Sequence, residues 1–206
     1  MSAAGSLWRA EQPLVLASAS VIRRALAESA GLVVEVMPAT IDERAREEDF
    51  AAAAPDAVAR MLAAAKSLDV SARLPDRYVL GADQTLEVGH RILHKPRTRQ
   101  EAADQLGALA GRRHRLHSAL ALSINGHAIW SHVETATLSA RPYASAFIHA
   151  YLDAAGDAVL RSVGGYQIEG LGMHLFDRIE GDHSVIMGLP LLPLLAQLRN
   201  LDLVHG

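Results

Sequence analysis

Hydroxyl and basic side chains follow the first apolar run of this sequence and could together bind an anion. Ser18, Ser20 and Arg23 come directly after the apolar residues 14–16. A cation in the first turn of a helix is unfavourable because the helix dipole is positive there. The planar guanidinium group grips phosphate oxygens, and serine hydroxyls and the amides of a helix start add further donors. This arrangement therefore predicts a phosphate site after the first strand.

Carboxylates and lysines farther along the chain could hold a divalent cation and neutralise charge. Glu43 lies in an acidic segment after the second apolar run, and Asp83 follows the apolar segment YVLGA. Carboxylate oxygens suit Mg²⁺, which shares its ligands with substrate phosphates; Mn²⁺ and Co²⁺ are the alternative ions. Lys66 and Lys95 would neutralise developing negative charge. Glu169 is a further candidate site residue, because it lies in the glycine-rich segment GGYQIEG.

Each of these residue types also has an ordinary structural role. Arg23 and Arg24 could form a solvated helix face, and Asp83 could stabilise a turn. His114 and His117 have a spacing that suits metal binding on a helix. Their segment is predicted to be a strand, in which residues i and i+3 point to opposite sides. We therefore expect no metal site at these histidines.

Strands and helices alternate along the chain, which predicts a mixed α/β sheet with flanking helices. Asn125-Gly126 predicts a tight hairpin, and residues 39–47 are predicted to be an acidic loop. Ligands in α/β sheets collect at the carboxyl ends of strands, so we expect these polar groups to converge on one cleft. The predicted strands cover 15–17, 32–38, 78–82, 115–124, 128–140 and 173–182. The predicted helices cover 20–30, 56–68, 98–109, 142–154 and 191–201.

Composition excludes several classes of protein. The chain of 206 residues is 50% hydrophobic and has a formal net charge of −3, no cysteine and 4% aromatic residues. Disulfides and thiolate chemistry are excluded, and the absence of cysteine fits a reducing cytoplasm. The acidic balance and the few aromatic residues argue against nucleic-acid binding. We expect no signal peptide and no membrane span.

The order of motifs resembles the Maf family of nucleoside triphosphate pyrophosphatases, which were once described as septum-formation inhibitors. The resemblance covers about residues 14–200. It rests on the segments LASASVIRR, TIDE, AAAKS, VLGADQTL, ILHKPRTRQEAADQLGALAGRRHRLHSALAL and VGGYQIEGLGMHLFDRIEGDHSVIMGLPL.

The resemblance implies hydrolysis between the α and β phosphates of a nucleoside triphosphate, with a divalent cation and with Asp83 as general base. It also implies one elongated Maf-like domain over 1–206, with two lobes around a central cleft. Residues 1–12 are expected to form a flexible N-terminal extension, and pairing as a homodimer is common in the family. The implied phosphate and metal ligands are Ser18, Arg23, Glu43, Lys66 and Lys95, with Asp83 also binding the metal.

Three residues fall on positions that vary between specificity groups of the family: Ile22, Gln84 and Glu169. The dipeptides Asp83-Gln84 and Glu169-Gly170 resemble those of the group that acts on 7-methyl-GTP. A carboxylate at Glu169 suits a cationic methylated purine. Ile22 supplies no aromatic face on which a base could stack. The same chemistry on dTTP or UTP is the first alternative. A nucleotide-binding regulator of cell division is an alternative of another class. It is less favoured because a protein without catalysis would be expected to lack a carboxylate at 43 or 83, and both are present.

Overall fold

A computed structural model describes residues 7–50 and 53–206, with side chains described at neither 48 nor 49. Residues 1–6 of the predicted N-terminal extension lie outside the described part. Within that part, no helix combines the length and the apolar character needed to cross a membrane.

Seven strands and seven α-helices make up the described chain. Short 3₁₀ turns occupy Gly156–Leu160, Val163–Gly165 and Leu171–Leu175. In chain order the elements are β1 (Leu14–Leu16), α1 (Val21–Ser29), β2 (Val34–Val36), α2 (Glu43–Asp49), α3 (Pro55–Ser71), β3 (Val79–Val88), β4 (Arg91–Leu93), α4 (Arg99–Leu109), β5 (Arg113–Ile124), β6 (His127–Ala140), α5 (Ser145–Ala155), β7 (Phe176–Glu180), α6 (His183–Ile186) and α7 (Leu191–Asn200).

The strands form one mixed sheet in the order β2-β1-β3-β5-β6-β7, and β4 pairs with β3. β1 pairs with β2 and with β3 in parallel. The pairs β3–β4 and β6–β7 are antiparallel. The prediction of a mixed α/β fold is confirmed. Asn125 and Gly126 both have positive φ, at 52° and 73°, as the predicted tight hairpin between β5 and β6 requires.

The chain divides into two compact units. The first comprises Met1–Gln84, Ser118–Glu134 and His183–Gly206, and the second comprises Thr85–His117 and Thr135–Asp182. The core of the first unit packs β1, β3 and β5 against residues of α1 and α7; among its fully buried members are Leu14, Leu16, Leu80, Leu120, Leu122, Leu194 and Leu198. The predicted cleft between two lobes stays a prediction.

The N-terminal residues of the described chain are bound to its C-terminus. Trp8 forms an antiparallel bridge with Val204. The backbone N–H of Arg9 donates to Leu203 at 2.9 Å, and that of His205 donates to Leu7 at 2.9 Å. Residues 7–9 of the predicted flexible extension are therefore anchored to the first unit.

The second unit packs α4 and α5 together and buries a histidine–tyrosine pair. His114 Nε2 lies 2.7 Å from the hydroxyl of Tyr166, and the Tyr166 and Phe176 rings pack edge to face. Burial lowers the pKa of His114 to about 4 because water can no longer solvate the charged imidazole. His117 lies on the other side of β5, between Glu87 and Thr135. The opposite orientation of the two histidines confirms the expectation from strand periodicity.

Two predicted boundaries that concern functional residues need correction. Glu43 is the first residue of helix α2 rather than part of a loop, and the carboxylate of Asp42 accepts the Ala45 N–H at 3.1 Å at this helix start. Asp83 lies inside β3 rather than after a strand, because the chain continues as far as Val88 and pairs with β4.

Candidate active site in the first unit

A glycine in β3 lets helix α3 approach the sheet very closely. A Cβ atom on Gly81 would lie 2.0 Å from the carbonyl oxygen of Ala63 and 2.8 Å from the amide nitrogen of Ser67, both in α3. No side chain fits at such distances, so only glycine permits this packing. The close approach brings Lys66 of α3 next to Asp83, two residues after Gly81 on the same face of β3.

Lys66 lies between two carboxylates. Its Nζ donates to Asp83 Oδ1 at 2.6 Å and lies 2.9 Å from Glu43 Oε2. The side chains of Lys66 and Asp83 are 9% and 10% exposed, whereas that of Glu43 is 52% exposed. Buried charges are stable only when they are paired, and each of the two buried members of this trio has its partner.

The trio carries two negative charges and one positive charge, so a net negative charge remains where the carboxylates converge. The described residues hold no group of three or more histidine, cysteine, aspartate or glutamate side chains that could enclose a metal ion. Mg²⁺ does not need such a cage, because it is commonly bound by one or two carboxylates together with water and substrate phosphates. Glu43 and Asp83 fit that pattern.

Arg23 points into the same unit and is held by three acceptors. Its Nε donates to the carbonyl of Gly188 at 2.9 Å, and its Nη1 donates to the carbonyl of Ala82 at 2.7 Å and to Ser18 Oγ at 3.2 Å. These contacts fix the plane of the guanidinium group. Burial lowers the pKa of Arg23, and the negative charges of Asp83 and Glu43 oppose that shift.

The neighbours of Arg23 in α1 have separate roles. Ser20 is the N-cap of α1, and its hydroxyl accepts the backbone N–H of Arg23 at 3.3 Å. Arg24 forms an exposed ion pair with Glu28 at 2.7 Å, one helical turn later. Of the two arginines, only Arg23 is directed toward the carboxylates, and Arg24 belongs to the solvated face of the helix. Ile22 is half-buried.

Gln84 uses its amide nitrogen inside the protein. The Nε2 atom donates to Ser118 Oγ at 2.8 Å, to the carbonyl of Ile186 at 3.0 Å and to the carbonyl of Val185 at 3.1 Å. The Ser118 hydroxyl in turn donates to the Val185 carbonyl at 2.6 Å. The side chain therefore connects β3 to the end of α6.

Two of the predicted site residues lie in the second unit. Lys95 is exposed and lies between β4 and α4, and Glu169 is exposed in the turn over residues 167–172. In this turn the amides of Gly170 and Gly172 donate to the carbonyl of Gln167. The phosphate and specificity roles predicted for Lys95 and Glu169 remain predictions.

Comparison with known proteins agrees with the resemblance of the motifs. A family model described as Maf-like protein matches residues 13–201. The chain belongs to the Maf family. A "Nucleoside triphosphate pyrophosphatase" of Rhodopseudomonas palustris (strain BisB18) is 52% identical over 194 residues, which cover 94% of this chain and 96% of that protein.

Other relatives of this Maf protein carry a more specific name. A "7-methyl-GTP pyrophosphatase" of Rhizobium etli is 50% identical over 195 residues, covering 94% of this chain and 98% of that protein. One of Rhizobium meliloti (strain 1021) with the same name is 49% identical over 195 residues, with the same two coverages.

The structure brings Arg23, Glu43, Lys66 and Asp83 of this Maf protein together in the first unit, and the roles predicted for them remain predictions. It also reveals two residues that the sequence analysis missed, Ser118 and Gly188. Both contact predicted site residues through hydrogen bonds that are remote along the chain. For Gly188 a signal exists in the segment MGLPL, because a glycine before a proline-rich helix start indicates a special backbone conformation. For Ser118, one buried hydroxyl in an apolar strand gives no such signal.

Proposed function

We propose that this Maf protein hydrolyses nucleoside triphosphates between the α and β phosphates, releasing a nucleoside monophosphate and pyrophosphate. The observation that carries the proposal is the position of Lys66 Nζ, 2.6 Å from Asp83 and 2.9 Å from Glu43. Together with Arg23, this trio supplies the acidic and basic groups that the reaction of a triphosphate with water needs.

Asp83 is the proposed general base. It accepts a proton from the attacking water as the new P–O bond forms and the bridging P–O bond of the anhydride breaks. Its place inside a long strand and its contact with Lys66 fix the carboxylate in one orientation. Lys66, whose Nζ lies 2.6 Å from Asp83 Oδ1, supplies positive charge to the transition state.

Glu43 and Asp83 are the proposed ligands of a divalent cation. Such an ion, when bound, would polarise the phosphate oxygens and lower the pKa of a bound water. The chain's own contribution is to bring two carboxylates to one point through α2 and β3. Glu43 is well placed for this role because its side chain is half exposed and reachable from solvent.

Arg23 is the proposed phosphate ligand in the first unit. Its Nε and Nη1 are occupied by protein acceptors, so Nη2 is the nitrogen that it can direct toward a phosphate oxygen. Ser18 and Ser20, which lie beside Arg23 at the start of α1, add hydroxyl groups and backbone donors. Lys95 is a further proposed phosphate ligand in the second unit.

We propose 7-methyl-GTP as the preferred substrate. The support comes from two relatives that carry this name and from the chemistry of Glu169. An exposed carboxylate attracts the positive charge of an N7-methylated purine and accepts hydrogen bonds from its N1–H and N2 amino groups. A glutamine at this position would carry no charge to complement that cation.

Pyrophosphate release from a panel of nucleotides tests both parts of the proposal. We expect release from 7-methyl-GTP in the presence of Mg²⁺, Mn²⁺ or Co²⁺, with a higher kcat/KM than for GTP, dTTP or UTP, because specificity is the ratio of these values. Glu169→Gln should lower the ratio of 7-methyl-GTP to GTP, and Glu180→Gln is a matched control on a surface strand of the same unit. Release of orthophosphate instead of pyrophosphate would contradict the reaction, and a higher kcat/KM for dTTP or UTP would contradict the preference.

A further inference from the structure

Three carbonyl oxygens at the end of α6 are held by side chains from elsewhere in the first unit. The carbonyls of Val185 and Ile186 accept from Gln84, and Val185 also accepts from Ser118. Two residues later, the carbonyl of Gly188 accepts from Arg23. One short segment therefore connects the Gln84 amide to the guanidinium group that is proposed to bind phosphate.

The backbone of this segment is compact and is hydrogen-bonded within itself. The amide of Gly188 donates to the Val185 carbonyl at 3.0 Å, and the amide of Met187 donates to the His183 carbonyl at 3.0 Å. Gly188 itself has a φ of +88°. A Cβ at this glycine would lie 3.4 Å from Arg23 Nε and 3.7 Å from Gln84 Cδ. Gln84 and Arg23 thus flank the same turn.

The orientation of the Gln84 amide follows from its partners. The carbonyls of Val185 and Ile186 can only accept hydrogen bonds, and the single hydrogen of Ser118 Oγ is directed to the Val185 carbonyl. A flipped amide would therefore place Oε1 against three oxygen atoms, with no hydrogen between them. Both hydrogens of the amide nitrogen are donated to protein acceptors, so the nitrogen has no hydrogen left to donate to a nucleobase.

We infer that Gln84 is a positioning residue for Arg23: it ties the turn after α6 to β3, and this turn carries the Gly188 carbonyl that orients the guanidinium group. Ser118 supports the same tie. The inference rests on the proposed phosphate role of Arg23. It assigns Gln84 an effect on phosphate binding that is independent of the base, whereas its predicted specificity role requires an effect that differs from base to base.

Inorganic tripolyphosphate separates these two roles because it has no base. Its Kd is measured by calorimetry with Mg²⁺ present, for the wild-type chain and for Gln84→Met, which keeps the side-chain length but removes the amide. We expect the Kd to rise about tenfold, the size of one weakened charge-assisted hydrogen bond. Ser118→Ala should raise it about two- to threefold, because the two carbonyls still hold the amide.

Ser123→Ala is the matched control. Ser123 lies on the same strand as Ser118, is fully buried, and has a hydroxyl 2.8 Å from that of Ser67. Its loss removes a buried hydrogen bond without touching Gln84, so the Kd for tripolyphosphate should stay at the wild-type value. Should Gln84→Met fail to fold, the pair Ser118→Ala and Ser123→Ala makes the same comparison.

Steady-state kinetics distinguish a displaced Arg23 from a smaller amount of folded protein. Fewer active molecules lower the apparent kcat alone, whereas a displaced Arg23 raises KM for every nucleotide and leaves the ratio of kcat/KM between 7-methyl-GTP and dTTP unchanged. A wild-type Kd for tripolyphosphate in Gln84→Met overturns the inference. The proposed function fails differently, by absence of pyrophosphate release from the wild-type protein.

Discussion

Replacement of Lys66 by methionine is the sharpest perturbation of the carboxylate pair. Methionine keeps the apolar length of the side chain but removes the ammonium group, which lies 2.6 Å from Asp83 and 2.9 Å from Glu43. Removing one partner of a buried ion pair costs about 3–5 kcal/mol, because the other charge stays buried without compensation. Glu43 is half exposed, so its part of the cost is below about 1 kcal/mol. We expect the free energy of unfolding to fall by about 3–5 kcal/mol.

A double-mutant cycle measured by urea denaturation in EDTA tests this reasoning. Asp83→Asn in the Lys66→Met background removes the uncompensated charge, so the double variant should be more stable than Lys66→Met alone. The coupling between the two sites should be about 2 kcal/mol. If the two changes add within about 0.5 kcal/mol, the short contact seen here does not contribute to stability.

The same variants show whether a divalent ion can take the place of the ammonium group. An ion that binds only the folded state stabilises it by about 2.7 kcal/mol at one hundred times its Kd. Mg²⁺ should therefore restore stability to Lys66→Met, and it should do so more strongly than it stabilises the wild type. The double variant, which lacks the Asp83 carboxylate, should gain much less. An equal response of all three proteins would show that the ion binds elsewhere.

Three further outcomes follow from the geometry. Asp83→Asn should lower kcat/KM for pyrophosphate release by about 10²–10⁴-fold, the range for a lost general base, while the far-UV circular dichroism spectrum stays native. Because burial lowers the pKa of His114 to about 4, the unfolded state takes up a proton between pH 6.5 and 4 that the folded state does not. The free energy of unfolding should then decrease by about 3 kcal/mol as the pH falls across this window, and His114→Gln should abolish that part of the slope in urea titrations. Gly188→Ala should cost about 1–2 kcal/mol of stability because of its positive φ. It should also raise KM for all nucleotides, which steady-state kinetics would detect. An unchanged KM would show that Gly188 does not position Arg23.

Much of the fold could be predicted from local patterns. The apolar run before Ser18 is strand β1, and the alanine-rich segment after Pro55 is helix α3. Asn125 and Gly126 form the predicted turn because both adopt positive φ. These features depend on residue types within a few positions of each other, which sequence analysis can evaluate directly.

The boundaries near the site were harder to predict, for physical reasons. Helix α2 has the sequence ERAREED, which has no apolar stripe, and hydrophobic periodicity cannot detect such a helix. The extension of β3 beyond Asp83 depends on its pairing with β4, a tertiary contact that overrides local propensity.

The partners of the site residues could not be predicted at all where the partner is a backbone atom. Arg23 and the Gly188 carbonyl are 165 positions apart, and Gln84 and the Val185 carbonyl are 101 positions apart. Every residue has a carbonyl group, so no residue type marks the one that accepts. The sequence can therefore indicate which side chains are candidates for chemistry, but not which backbone atoms hold them in place.

The two proposed metal ligands differ in how firmly the fold holds them, and this difference has a consequence for ion binding. Asp83 lies inside a ten-residue strand, and the glycine two positions before it lets α3 pack closely enough for Lys66 to contact Asp83. Glu43 begins a seven-residue helix and is half exposed. Any adjustment to a bound divalent ion would fall to Glu43, because moving Asp83 would disturb the sheet. We therefore expect Asp83 to set the position of the ion and Glu43 to set how readily it exchanges with solvent.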